Sequence, residues 1–182
     1  MNNIKKILFL IAALIIPSMV YVFLRGFGNN KFEIPVYYSE GITIEGCTSD
    51  IKKAHFVNFE NYDLEGAQLF FFSQWIKSNE FLRQCKRIKT KPYHVAFTAI
   101  SDTVMHNELG NTLVVKDEAQ LFKIANCALV IGQDSAISIP LYNQLILVDA
   151  DKRIRGYYDG NDIEDMDRLD IELDILSKES ND

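Results

Sequence analysis

The residues of this chain best suited to chemistry are three cysteines, Cys47, Cys85 and Cys127, and three histidines, His55, His94 and His106. A thiolate is a nucleophile, a redox partner and a soft metal ligand. The cysteine spacing fits neither a zinc site nor a C-x-x-C redox motif. An odd count leaves at least one thiol unpaired or joined to another molecule, so the set reads as one structural disulfide or as three buried thiols, with the pairing open. No two histidines have metal-ligand spacing. His94 opens a strand, and His106 lies beside Met105 in the polar loop MHNELGN. No nucleophile–base–acid set, P-loop or glycine-rich phosphate motif is present, and Asp134-Ser135 near Gly132 is too generic to indicate a hydrolase.

The elements that must position these groups begin with an apolar segment. Residues 7–24, ILFLIAALIIPSMVYVFL, form an uninterrupted apolar run of eighteen residues. As a helix at roughly 1.5 Å per residue it would be about 27 Å long, near the thickness of a bilayer core. Lys5 and Lys6 precede it and Arg25 follows. A cleaved signal peptide fits less well, because the run is long and the bulky FLRGFGNNKF follows where a peptidase needs small residues. The expectation is one N-terminal transmembrane helix, with residues 1–28 as cytoplasmic tip and anchor. The chain would then be single-pass in a bacterial inner membrane, N-terminus cytoplasmic and C-terminal domain periplasmic. The cysteines would lie in an oxidising compartment.

Hydrophobic residues make up 48% of the 182 and aromatics 12%, enough for a packed core. Residues 1–30 carry Lys5, Lys6 and Arg25 and no acid, so removing those three charges from the net −6 leaves about −9 on the rest. Phosphate contacts require clustered Lys and Arg, so a nucleic-acid partner is excluded.

Residues 67–73 (AQLFFFS) read as an interior strand buried on both faces, and residues 94–101 (HVAFTAIS) as a second. Between them, residues 75–86 predict a helix ended before Pro92. Residues 113–115 suggest a short third strand. Asp117 can cap a helix running to about Cys127. Residues 145–149 and 153–158 flank the tight turn Ala150-Asp151-Lys152 and must pair antiparallel. Ile163, Met166, Leu169, Leu173 and Leu176 form one apolar stripe, so a helix closes the chain, capped by Asn161 or Asp162. The acids from Asp159 to Asp174 mostly form its solvated face. Arg153, Arg155 and Asp159 in RIRGYYDG could make a binding loop, although glycines setting the hairpin exit, with Gly160 ending the turn, explain the motif more simply. The order βαβ then ββα is the thioredoxin plan, which other α+β folds can share.

Three stretches of the sequence resemble the Sco/SenC family: the junction PSMVYVFLRGFGNNKFEIPVYY, the strand-to-helix turn FFFSQW at residues 70–75, and LILVDADKRIRGYYDGNDIEDMDRLDIELDIL at residues 145–176. The last is the most specific, matching the family's L-V-D-x-x-G-x-I-R-G-Y-Y-D-G-T ending. The resemblance implies an α/β, thioredoxin-like fold, a central mixed sheet with flanking helices, over residues 29–178 with a tail at 179–182. It also implies the copper site of a family that loads or reduces the dinuclear copper centre of cytochrome oxidase, built from C-x-x-x-C and one distant His. In this register those ligands fall on Trp75, Asn79 and, near the hairpin, Tyr142. An indole, an amide and a phenol cannot replace thiolate and imidazole for copper(I), and no nucleophilic thiolate stands at the helix start.

The functional expectation is therefore a membrane-anchored, non-catalytic accessory protein with neither metal nor other cofactor at the family site. Its partner would be a protein in or at the membrane, such as a respiratory oxidase subunit or assembly factor. Trp75 could anchor that partner, or fill the vacated site alongside Tyr142. The alternatives are a thiol-disulfide oxidoreductase working through Cys47, Cys85 or Cys127, and a copper carrier with ligands relocated to Met105, His106 and a cysteine.

Overall fold

A computed structural model describes residues 3–27, 34–44, 46–47, 53–59, 62–76, 78–93, 95–103, 109–132 and 142–179. The chain divides into two compact units, Met1–Glu33 and Ile34–Asp182.

The first unit holds helix α1, Asn3–Phe27, with Pro17 inside it. The expected transmembrane helix is corrected by this structure: among the described residues no helix is long and apolar enough to cross a membrane.

The second unit is a five-stranded mixed sheet. Its strands are β1 (Ala67–Phe72), β2 (Val95–Ser101), β3 (Asn111–Val114), β4 (Gln144–Val148) and β5 (Ile154–Asp159), in the spatial order β3-β2-β1-β4-β5. β1 pairs parallel with β2, as β2 does with β3, while β4 runs antiparallel to both β1 and β5. The helix α2 (Asn79–Lys89) makes the β1-to-β2 crossover, and α4 (Ile163–Glu179) follows β5. The thioredoxin-like mixed sheet with flanking helices is thus present.

The apolar run of β1 is buried on both faces, which explains its lack of polar alternation. Phe70 and Phe72 point into one core with Ile100, Ile146, Val148 and Tyr157. Leu69 and Phe71 point into the other with Phe81, Cys85, Ile88, Tyr158, Leu169 and Leu173. Helix α2 presents Phe81, Cys85 and Ile88 to this second layer, and α4 presents Met166, Leu169, Leu173 and Leu176. Each such side chain contributes about 1.5–3 kcal/mol when fully buried.

Helix α2 starts later than the predicted residue 75. Ser73–Trp75 forms a 3₁₀ turn instead, and the Ser78 hydroxyl caps α2 by accepting from the Glu80 N–H at 3.0 Å. The helix then extends to Lys89, because Pro92 forbids helix only nearby, not at Lys86. Asp117 does cap α3 (Glu118–Phe122), its carboxylate accepting from the Gln120 N–H. The predicted continuation to Cys127 widens into a π-helical segment, Lys123–Ala128, with the Leu129 N–H bonded to the Ile124 carbonyl at 2.9 Å. Asp162 caps α4, accepting from the Glu164 N–H at 2.9 Å.

The RIRGYYDG motif serves the fold. The Asp149 carboxylate accepts from the Arg153 backbone N–H and Nε, both at 2.9 Å, and from Arg155 Nη1 at 3.0 Å. Arg155 Nη2 also donates to the Ile34 carbonyl at 2.9 Å and to Glu179 at 3.1 Å. One buried guanidinium therefore ties the hairpin to the first residue of the domain and the last turn of α4.

Candidate functional site

At the C-terminal end of β1 the chain leaves the sheet through the Ser73–Trp75 turn. The Trp75 indole stacks on the Phe72 ring with centroids 4.3 Å apart, and is half-buried against the first core. The Ser73 hydroxyl donates to the Ile100 carbonyl of β2 at 3.3 Å. Because β4 runs antiparallel to β1, its start lies at this same end. The Asn143 N–H donates to the Trp75 carbonyl at 3.2 Å, and the Gly160 N–H at the end of β5 donates to the Asn143 carbonyl at 2.8 Å. Asn143 holds φ at +60°, a left-handed conformation that Asn tolerates better than most residues.

These bonds place two of the three positions on which the sequence resemblance puts copper ligands, Trp75 and Tyr142, on neighbouring segments at one end of the sheet. Asn79 opens α2 four residues beyond Trp75 and is exposed. Tyr142 is 54% exposed. The chemistry of this set does not fit copper(I): an indole, an amide and a phenol offer no soft anionic ligand. Among the described residues no three His, Cys, Asp or Glu side chains gather to hold a metal. Met105, His106 and His94 lie outside the described residues, as do Asp134 and Ser135.

The cysteines divide into two kinds. Cys47 and Cys127 form a disulfide, with Cα atoms 5.6 Å apart and a sequence separation of 80. Cys85 is buried on the inner face of α2, and burial pushes its thiol pKa far above the ordinary value. A buried neutral thiol is a poor nucleophile, so Cys85 packs as a small apolar side chain.

The disulfide lines an open cavity of about 730 Å³. Lys53, His55 and Phe56 come from the segment before β1, and Lys123 and Ile124 from the π-helical segment. His55 Nε2 lies 2.8 Å from the Ala128 carbonyl, fixing this segment beside Cys127. No local motif marks these residues. The only available signal was the pair of cysteines itself, whose partnership spacing does not reveal.

Arg153 and Arg155, together with Asp149, line a second cavity of about 460 Å³ at the opposite end of the sheet. Their side chains are committed to the ion network above.

No family model and no curated protein matches the sequence. Among solved structures, the chain is similar to a SCO1/SenC family lipoprotein from Bacillus anthracis str. Ames, with 11% identity and a TM-score of 0.44, over 61% of this chain and 81% of that one. It is also similar to BsSco, a member of the Sco family of cytochrome c oxidase assembly proteins in which a disulfide switch has been identified, with 13% identity and a TM-score of 0.44 over 62% and 81%.

Proposed function

We propose that this chain is a non-catalytic accessory protein of the Sco/SenC type that binds a protein partner of respiratory oxidase assembly, without copper at the family position. The reading rests on the sequence resemblance around residues 70–75 and 145–176 and on the thioredoxin-like sheet. The observation that carries it is the bond from Asn143 to the Trp75 carbonyl. It joins the two segments that would carry copper ligands in the family, yet their side chains are an indole and a phenol. Large aromatics at such a position suit a protein interface better than an ion, since interface anchors are enriched in Trp and Tyr.

The Cys47–Cys127 disulfide supports a place for the domain in an oxidising compartment outside the cytoplasm, the periplasm. The acidic domain suits a basic partner surface. Affinity purification from detergent-solubilised membranes tests the reading. Oxidase subunits or assembly factors should co-purify with the native chain, and recovery should fall at least about tenfold with Trp75→Ala, in line with a loss of roughly 1.4 kcal/mol or more at one anchor. Stoichiometric, submicromolar copper(I) binding by the native chain would overturn it.

A further inference from the structure

We propose that a strained turn after α3, centred on Val130, is a conformational switch held closed by the Cys47–Cys127 bond. Reduction of that bond by a dithiol opens the turn and reshapes the cavity beside it. The inference does not depend on the partner proposed above, and it lies apart from Trp75 and Asn79, where the sequence resemblance would put redox sulfur.

The strain sits in one residue. Val130 holds φ at +53°, in the left-handed region that a β-branched side chain avoids. Where a residue just past a helix end takes that conformation it is usually glycine, because a Cβ is crowded there. Val130 follows the π-helical segment Lys123–Ala128 and is 1% exposed in the first core, so its side chain cannot swing out for relief. The turn around it is also wide. The Leu129 N–H donates to the Ile124 carbonyl and the Ile131 N–H to the Ala125 carbonyl, both at 2.9 Å, where a regular helix would bond four residues back. Widened turns of this kind are frequent at functional sites.

A strained conformation persists only where its surroundings over-determine it. The three residues before Val130 are each held from outside the segment. Cys127 is bonded to Cys47, the Ala128 carbonyl meets His55 Nε2 at 2.8 Å, and the Leu129 carbonyl accepts from the Tyr157 hydroxyl of β5 at 2.7 Å. The two hydrogen bonds exchange for water at small net cost. The covalent bond, spanning 80 positions, does not. It is also within reach, since both cysteines are half-buried and line the 730 Å³ open cavity.

The incoming dithiol loses two electrons and two protons and becomes a disulfide. The S–S bond of this chain breaks, and Cys47 and Cys127 each gain one electron and one proton to become thiols. With the covalent pin gone, the turn opens: Leu129 and Ile131 give up their bonds to Ile124 and Ala125, and Val130 returns to negative φ. Ile124, Cys127 and Ala128 are part of the cavity wall, so the cavity changes shape with the oxidation state.

Hydrogen exchange read by mass spectrometry tests this on the full chain, oxidised and then reduced with dithiothreitol in non-denaturing buffer. On reduction the amides of Leu129 and Ile131 should exchange at least about fivefold faster, the scale of releasing one left-handed residue, while those of β1 and β2 keep their rates. Val130→Ala and Val130→Gly both remove the buried isopropyl group, but only glycine accepts positive φ without strain. The rise should remain in Val130→Ala and be at least about fivefold smaller in Val130→Gly. Equal exchange in the two oxidation states, equal rises in the two variants, a rise shared by β1 and β2, or a bond that yields only in denaturant would each overturn the proposal. Comparison of the turn with β1 and β2 in the unmutated chain is decisive even if neither variant folds.

Discussion

The backbone N–H of Asn143 reaches across 3.2 Å to the carbonyl of Trp75, joining two residues 68 positions apart at one end of the sheet. The antiparallel β1–β4 pairing, Phe70 opposite Ile146, makes this meeting unavoidable. The turn after one strand and the turn before the other must share an end. A protein with sulfur ligands at residues 75 and 79 and an imidazole at 142 could gather them here. This chain presents an indole, an amide and a phenol at those positions.

Restoring those side chains should restore the chemistry. The triple variant Trp75→Cys, Asn79→Cys, Tyr142→His is expected to bind one copper(I) per chain with submicromolar affinity, and the native chain is expected to bind none at that affinity. Competition titration against a chromophoric copper(I) chelator measures both. A triple variant that folds but takes up no copper would show that the register placing ligands on these three positions is wrong.

The ion pair between Asp149 and Arg155 is almost wholly buried, with each side chain 4% exposed. Arg155→Ala leaves Asp149 with Arg153 alone and takes the donor from the Ile34 carbonyl and Glu179, so it should cost about 1–3 kcal/mol, the scale of a buried polar group left unsatisfied. Chemical denaturation reads the loss as a lower midpoint. A change under about 1 kcal/mol, the scale of exposed pairs, would mean that the network contributes little.

Gly160 is required by space rather than by φ. A Cβ there would stand 2.7 Å from Phe81 Cε2 and 2.9 Å from the Asn143 carbonyl oxygen, as well as against Phe81 Cδ2. Gly160→Ala should destabilise the domain by about 1–3 kcal/mol, the scale of overpacking. Adding Phe81→Leu should recover part of that loss in a double-mutant cycle. Strict additivity of the two substitutions would refute the proposed clash.

Alkaline pH should weaken the fold through Cys85 and Tyr158. Burial raises the pKa of each, and the Glu172 carboxylate beside the Tyr158 hydroxyl adds to the tyrosine's shift. The unfolded chain loses these protons at ordinary values, 9.0 for the thiol and 10.0 for the phenol, while the folded chain keeps them. The unfolded state then binds fewer protons, so stability falls as pH rises beyond about 9. Denaturant midpoints from pH 7 to 11 should be flat at first and then decline. Cys85→Ala should remove the first part of that decline, and an unchanged slope between pH 9 and 10 would rule out the thiol's contribution.

Much of the fold was readable because its signals are local. The double-sided burial of β1, the stripe from Met166 to Leu176 and the caps Asp117 and Asp162 each lie within one segment. The start of α2 was readable in principle from Ser78 ahead of Asn79 and Glu80, but Trp75 drew the helix too early. The length of an apolar run on paper did not yield a membrane-crossing helix among the described residues of α1. Arg153 and Arg155 could be read as binding residues until their partners, Asp149, Ile34 and Glu179, were in place.

The sequence by itself determined the order of strands and helices, the absence of thiolate and imidazole at residues 75, 79 and 142, and the odd thiol count, since these depend on residue types and short-range periodicity. Tertiary structure alone decided that Cys47 pairs with Cys127 while Cys85 is sealed in the core, and that Lys53, His55 and Lys123 share a wall with the disulfide. The physical reason is separation along the chain. Contacts across dozens of residues are set by how whole faces pack, and no spacing rule encodes which distant side chains that packing brings together.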